Sequence, residues 1–256
     1  MTLEQLEKYL ERIGYTGSRE LTAGTLDGLI RAHISTVPFE NITVFDYGQV
    51  PSLDPEDLYK KIVEQRRGGY CFELNTAFHH LLMTVGFEAY PVVARVAKIP
   101  GPTRPYAHKG VIASAEGKLW YCDVGFGGPG PKGVLEIREG EQTVAGHVHR
   151  VLFRERDLMI QHLDGEEWGN VLCFPLRPIE PCDFIPLNFY IACNPGSPFR
   201  MRRTVNLTLP DGSKSLTDRH YTLRRGEMVI ERDCFDKTET ETLLRDEFGI
   251  DVELTR

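Results

Sequence analysis

Apolar residues recur every three to four positions through the first ninety residues, a spacing that predicts helices. Leu3, Leu6, Leu10 and Ile13 share one face, and Gly14 ends that segment. Thr25 is placed to cap a second helix carrying Leu26, Leu29, Ile30 and His33, which stops before Pro38. Asp54-Pro55-Glu56 opens a third, with Leu58, Ile62 and Val63 on one side and Gly68-Gly69 as its terminator. A fourth begins at Cys71, sets Leu74, Phe78, Leu81, Leu82 and Val85 together, and closes at Gly86.

From Tyr90 the period drops to that of strands. Runs over 90–96, 109–114 and 118–124 come first, the last two flanking the turn Ala115-Glu116-Gly117. Further runs over 147–154, 157–162 and 168–174 follow, and short strands at this spacing suggest an antiparallel barrel or sandwich. The stretch 183–193 fits either period, and Asn194-Pro195-Gly196-Ser197-Pro198 breaks the chain after it. A hairpin around Pro210-Asp211-Gly212, a strand near Tyr221 and a last helix over 237–248 complete the pattern.

Composition narrows the function classes. The 256 residues carry a net charge of −7, which argues against broad binding to nucleic acid or anionic membranes. No eighteen-residue apolar run predicts a membrane span, and the acidic start lacks the form of a signal peptide. Six cysteines stand scattered without a CxxC pair, the usage of a reduced, cytoplasmic protein with mostly buried thiols. His147-Val148-His149 has no accompanying carboxylate or cysteine set, so no metal is expected.

Chemistry concentrates around Cys71. A thiol is nucleophilic as thiolate, and a helix N-terminus favours that anion. Gly68 and Gly69 are expected to supply unusual backbone angles for a tight approach, leaving N–H groups of the helix start to face the sulfur or an oxyanion. His108, where a loop enters a strand, is the candidate base among eight histidines. Asp123 interrupts the apolar strand Leu119-Trp120-Tyr121-Cys122-Asp123-Val124, where an unpaired carboxylate is costly. Hairpin pairing puts His108 and Asp123 at one open end, so the three can form a nucleophile, shuttle and orienting group. Gly125-Phe126-Gly127-Gly128-Pro129-Gly130 then offers either a connector or backbone N–H groups for phosphate oxygens.

The run Arg67-Gly68-Gly69-Tyr70-Cys71-Phe72-Glu73-Leu74-Asn75, with His108 and Asp123-Val124-Gly125-Phe126-Gly127, resembles the arylamine N-acetyltransferases. Val37-Pro38-Phe39-Glu40-Asn41 and Ser197-Pro198-Phe199 extend the likeness over nearly the whole chain. The resemblance implies an α+β fold: an N-terminal helical bundle over 1–88, a central antiparallel β-barrel over 89–195 and a C-terminal α/β lid over 196–256, around a cysteine-protease-like core. It implies acetyl transfer from acetyl-CoA, a co-substrate rather than a resident cofactor, to arylamines, arylhydrazines and arylhydroxylamines. Carried onto this chain, Cys71 holds the acetyl group as a thioester, His108 pairs with it and Asp123 orients His108. Phe39 and Phe126 are expected to line the acceptor pocket, and the N–H groups of Cys71 and Val96 to form the oxyanion site. Gly125, Gly127 and Gly128, with Arg202 and Arg203, are expected to meet coenzyme A. An amide synthase acting on a carrier-bound acyl chain, and a cysteine hydrolase or transglutaminase-like enzyme, are the alternatives.

Overall fold

The computed structural model describes residues 1–97, 104–128 and 130–256. Its helices and strands run α1 (Leu3–Ile13), α2 (Ala23–Thr36), β1 (Phe39–Glu40), α3 (Ile42–Phe45), α4 (Pro55–Tyr59) and α5 (Cys71–Val85) through the first third. Then come β2 (Glu88–Val96), β3 (His108–Ala115), β4 (Lys118–Cys122), β5 (Leu135–Glu136), β6 (Gly140–Val144), β7 (His147–Phe153), β8 (Leu158–Asp164) and β9 (Glu167–Phe174). The chain ends with α6 (Phe184–Cys193), α7 (Pro198–Met201), β10 (Thr204–Leu209), β11 (Gly212–Thr217), β12 (His220–Arg225), β13 (Met228–Asp233) and α8 (Lys237–Phe248). Among the described residues no helix is long and apolar enough to cross a membrane.

The helical period is realised with local corrections. Thr2 and Gln5 form a reciprocal capping box on α1, and Leu6, Leu10 and Ile13 are buried, but Leu3 is 74% exposed. The cap of α2 is Thr22, not Thr25: the Thr22 hydroxyl accepts from the Thr25 N–H at 3.2 Å. The third helix passes into a π-helical turn over Lys60–Glu64 and ends there. Its terminating left-handed residue is Arg66, with φ 54°, rather than Gly68 or Gly69. The ambiguous stretch 183–193 is helical; it is apolar on nearly every face, so no period stands out.

β2 to β9 form one eight-stranded antiparallel sheet in the order β5-β4-β3-β2-β9-β8-β7-β6, a near-closed barrel rather than a sandwich. Its two edges are joined by a side chain: Gln142 of β6 accepts from the Glu136 N–H at 3.0 Å and donates to the Glu136 C=O at 2.8 Å. Val92, Ile112, Tyr121, Ile160, Leu172 and Phe174 fill the interior. The outer face of β3 and β4 packs on α1, α2 and α5 through Val111, Ala113, Cys122, Leu29, Phe78 and Leu81.

The second sheet, β1-β10-β11-β12-β13, packs on α8 through Val205, Leu216, Leu243, Leu244 and Phe248. Its first strand comes from the N-terminal third: Phe39 pairs with Asn206 and Glu40 with Val205. The Glu40 N–H also bonds the Gly69 C=O at 2.9 Å, so β1 ties the loop before Cys71 to the C-terminal sheet. Sequence spacing misses the two-residue strands β1 and β5, as well as β6 and β13.

Candidate active site

Cys71 is the first residue of α5 and is 3% exposed. The first intrahelical bonds run from the Glu73 and Leu74 N–H groups to the Tyr70 C=O, both 3.0 Å, so the Cys71 and Phe72 N–H groups lie ahead of the ladder. The Tyr70 N–H is taken by Glu73 Oε2 at 3.0 Å, and the Tyr70 hydroxyl donates to Asn188 of α6. Gly68 and Gly69 serve close approach rather than unusual torsion, since neither has positive φ. A Cβ on Gly68 would stand 1.9 Å from the Pro38 carbonyl oxygen.

Glu73 belongs to a buried ionic cluster under this helix start. Lys61 Nζ lies 2.6 Å from Glu73 and 3.5 Å from Glu40, and Arg67 donates to Glu40 at 2.7 and 3.1 Å. Burial raises the Glu40 carboxyl, but Arg67 and Lys61 reverse this and hold it at about 2. Glu73 stays above the usual carboxylate range, because burial outweighs its pairing with Lys61.

His108 opens β3 and is buried, with Nε2 2.6 Å from Asp123 Oδ2. That bond places a proton on Nε2, and Cys71, whose Sγ lies 3.8 Å from the Ala107 C=O just before His108, is near enough to favour charge on the ring. Burial opposes charge on the imidazole, yet Asp123 and Cys71 prevail and push it up to about 10. Strand β4 ends at Cys122, so Asp123 stands just past the strand rather than inside it. Its carboxylate accepts from four groups: His108 and Tyr121 Oη at Oδ2, and Asn75 Nδ2 and the Gly125 N–H at Oδ1. Burial raises its affinity for a proton, but His108, Asn75 and Tyr121 lower it below the ordinary carboxylate range.

Asn75 and Tyr121 are site residues that sequence reasoning passed over. Asn75 lies one turn after Cys71 on α5, donates to Asp123 at 2.8 Å and to the Lys109 C=O at 2.5 Å, and accepts from the Val124 N–H at 2.9 Å. Their periodic signals were available: i+4 from the cysteine on a helix, and i−2 from the aspartate along a strand. Gly125 explains its own identity, for a Cβ there would sit 2.7 Å from Cys71 Cα.

A cavity of about 940 Å³ lies beside these groups, lined by Phe39, Asp123, Gly125, Phe126, Gly127 and Gly128, among others. Cys71 and His108 do not line it, whereas Asp123, bonded to His108, and Gly125, beside Cys71, do. The Phe126 ring stands edge-on to His108 with centroids 5.1 Å apart, and Phe39 packs against Phe199 at 5.9 Å. The expected pair Phe39 and Phe126 thus both line this cavity. Val96 ends β2 opposite Leu172. The next N–H, of Ala97, bonds the Val171 C=O, so ladder alternation turns the Val96 N–H away from β9.

The expected arginines are not at this cavity. Arg202 is exposed, and Arg203 is 3% exposed, with its guanidinium donating to Asp46 at 2.6 and 3.0 Å. Arg203 is therefore committed to a buried ion pair and is not open to a polyanion. The basic residues on the cavity wall are Arg31, Lys132 and Arg224, which sequence spacing did not single out.

The family model described as N-acetyltransferase matches residues 22–256. The chain is 31% identical over 252 residues to the arylamine N-acetyltransferase of Escherichia coli (strain K12), covering 97% of this chain and 89% of that protein. It is 33% identical over 236 residues to the arylamine N-acetyltransferase / N-hydroxyarylamine O-acetyltransferase of Salmonella typhimurium, covering 90% and 83%. The solved Salmonella typhimurium arylamine N-acetyltransferase superposes with a TM-score of 0.92 at 30% identity, over 98% of this chain and 93% of that one. The Mycobacterium marinum arylamine N-acetyltransferase in complex with CoA does so at 0.88 and 28%, over 96% and 93%.

Proposed function

The chain belongs to the arylamine N-acetyltransferase family, and from that premise we propose that Cys71, His108 and Asp123 carry acetyl from acetyl-CoA to an arylamine nitrogen in two half-reactions. The observation that carries this reading is the buried His108–Asp123 bond of 2.6 Å, made by the residue that follows Ala107, whose carbonyl lies 3.8 Å from Cys71 Sγ at a helix start. In the first half-reaction the Cys71 thiolate attacks the acetyl carbonyl carbon. A new C–S bond forms, the bond to the coenzyme sulfur breaks, and the departing sulfur takes the proton that His108 held. In the second, the amine attacks the acetyl-cysteine, the Cys71 C–S bond breaks, and the amine's surplus proton goes to His108. The thiolate–imidazolium pair is then restored, so both halves balance.

Supporting groups follow from position. The N–H groups of Cys71 and Val96 are the donors for the developing oxyanion. An aromatic acceptor fits between Phe39 and Phe126, where ring faces and edges meet it. The coenzyme's phosphates fit the cavity wall that carries the glycine-rich turn with Arg31, Lys132 and Arg224.

Intact-mass measurement tests the proposal. With acetyl-CoA the protein is expected to gain one acetyl group, which disappears when an arylamine or arylhydrazine is added. Absence of that adduct, or its undiminished formation in Cys71→Ala, overturns the mechanism.

A further inference from the structure

Lys109, the residue after His108, is a lysine with almost no contact with water. It is 3% exposed, on β3 opposite Val93 of β2. Its Nζ donates to the Thr76 hydroxyl at 2.6 Å and lies 4.4 Å from the centre of the Phe184 ring on α6. Among the described residues no carboxylate lies within ion-pair distance of it. A buried ammonium with only a hydroxyl and a ring face as partners is expensive, unless an anion nearby favours it.

The surrounding elements supply one candidate anion. Thr76 stands on α5 just over a turn beyond Cys71, and its hydroxyl donates to the Phe72 C=O at 2.5 Å. Asn75 holds the Lys109 carbonyl, so backbone and side chain of Lys109 are both fastened to the helix that Cys71 begins. Phe184 and Phe72 pack with Cys71 in one cluster, and Cys71 Sγ lies 3.8 Å from the carbonyl oxygen of Ala107, two residues before Lys109. The titratable groups within electrostatic reach are Cys71, His79 and His80 on α5, with His108 next to it in the chain. Where β2 and α6 meet it they present Val93 and Phe184, both apolar. Burial lowers His79 and brings His80 to about 4, so both are neutral near pH 7. Burial brings Lys109 itself down to about 7, opposed by Cys71.

We infer that Lys109 is a positioning residue for the nucleophile: a buried counter-charge, fixed by Thr76 and Phe184, that favours the Cys71 thiolate. The inference rests on the acyl-transfer reading above and adds a third group to its ion pair. It makes the reactivity of Cys71 depend on a charge that neither His108 nor Asp123 carries.

Alkylation of Cys71 by iodoacetamide, followed from pH 5 to 9, tests this. In folded Lys109→Met the rate profile is expected to move up by about one pH unit, which lowers the rate about tenfold on the limb below its midpoint. Lys109→Arg, which keeps the charge, is expected to restore most of that loss. A Lys109→Met profile that coincides with wild type overturns the inference. A second measurement needs no substitution. In wild-type protein labelled with carbon-13 at the lysine ε position, the signal that titrates near neutrality is expected to move to lower pH once Cys71 is alkylated. A midpoint unmoved by alkylation overturns the inference. Failure of wild-type Cys71 to alkylate or acetylate would instead overturn the acyl-transfer reading itself.

Discussion

Asp123 is the residue on which the site's charge rests. With four donors on two oxygens it is held ionised, and it in turn keeps His108 charged up to about pH 10. His108 has its affinity raised, so its contribution to stability is fully present below its ordinary 6.5 and is lost as pH rises through about 10. Asp123 has its affinity lowered, so its contribution is present above the ordinary value near 4 and lost as pH falls through the depressed one. Replacing Asp123 by Asn keeps the shape and removes the charge. His108 then sits buried with no anion other than Cys71, and its burial favours the neutral ring. Asp123→Asn is expected to move the iodoacetamide labelling profile of Cys71 up by at least about one pH unit, a roughly tenfold loss on the limb below its midpoint. Labelling at the wild-type rate would show that the pair does not depend on Asp123. The sequence made this residue visible because a carboxylate among Trp120, Tyr121, Cys122 and Val124 demands a partner. It did not reveal Lys109, because a lysine in a strand ordinarily reads as a solvated position.

At the scale of elements, the start of α5 is held by a charge cluster drawn from four segments, the loop that carries Arg67 among them. Glu73 satisfies the Tyr70 N–H ahead of Cys71, Lys61 comes from the π-helical turn, and Glu40 comes from β1 with Arg67 beside it. Lys61→Met leaves two buried carboxylates with one guanidinium. Breaking such a pair costs about 3–5 kcal/mol, read as a lower denaturant midpoint at pH 7. Because burial already raises Glu73, loss of Lys61 lets it take up a proton readily, so the penalty is expected to shrink as pH falls from 7 to 5. An equal penalty at both pH values would place the cost elsewhere. The helix with a narrow apolar stripe, α1, was legible from spacing alone. The two-residue strand β1 was not, since its existence depends on Asn206 and Val205, more than 160 residues away. Nor was α6, whose apolar residues surround the helix and leave no stripe to read. The glycines before Cys71 were visible, but their reason was not: contact with Pro38 is a tertiary fact, invisible to local torsion arguments.

Across the whole molecule, Arg203 is the joint between the first third of the chain and its end. Its guanidinium bonds Asp46 after α3, the Asp218 C=O in the β11–β12 turn at 2.9 Å, and the Arg256 C=O at 3.0 Å. Its own N–H donates to Asp218 Oδ1 at 2.9 Å, which pins the start of β10. That strand supplies Asn206 to Leu209 to the cavity wall, facing Gly127 and Phe126 from the C-terminal sheet. The arginine therefore acts on the cavity through the strand, without touching what the cavity holds. Arg203→Met removes the partner of a buried Asp46 and frees two carbonyls, which costs about 3–5 kcal/mol. Arg202→Met, on an exposed side chain next door, is expected to stay within about 0.5 kcal/mol of wild type. Chemical denaturation of the two variants measures the contrast. Hydrogen exchange is expected to quicken in β10 to β12 of Arg203→Met while the barrel strands β7 and β8 keep wild-type protection. The KM for acetyl-CoA is expected to rise in the same variant as the wall loosens, with Cys71 alkylation unchanged. Equal stability of the two variants would remove Arg203 from its place as the joint, and a fall in Cys71 alkylation would show that the joint reaches the nucleophile as well as the wall.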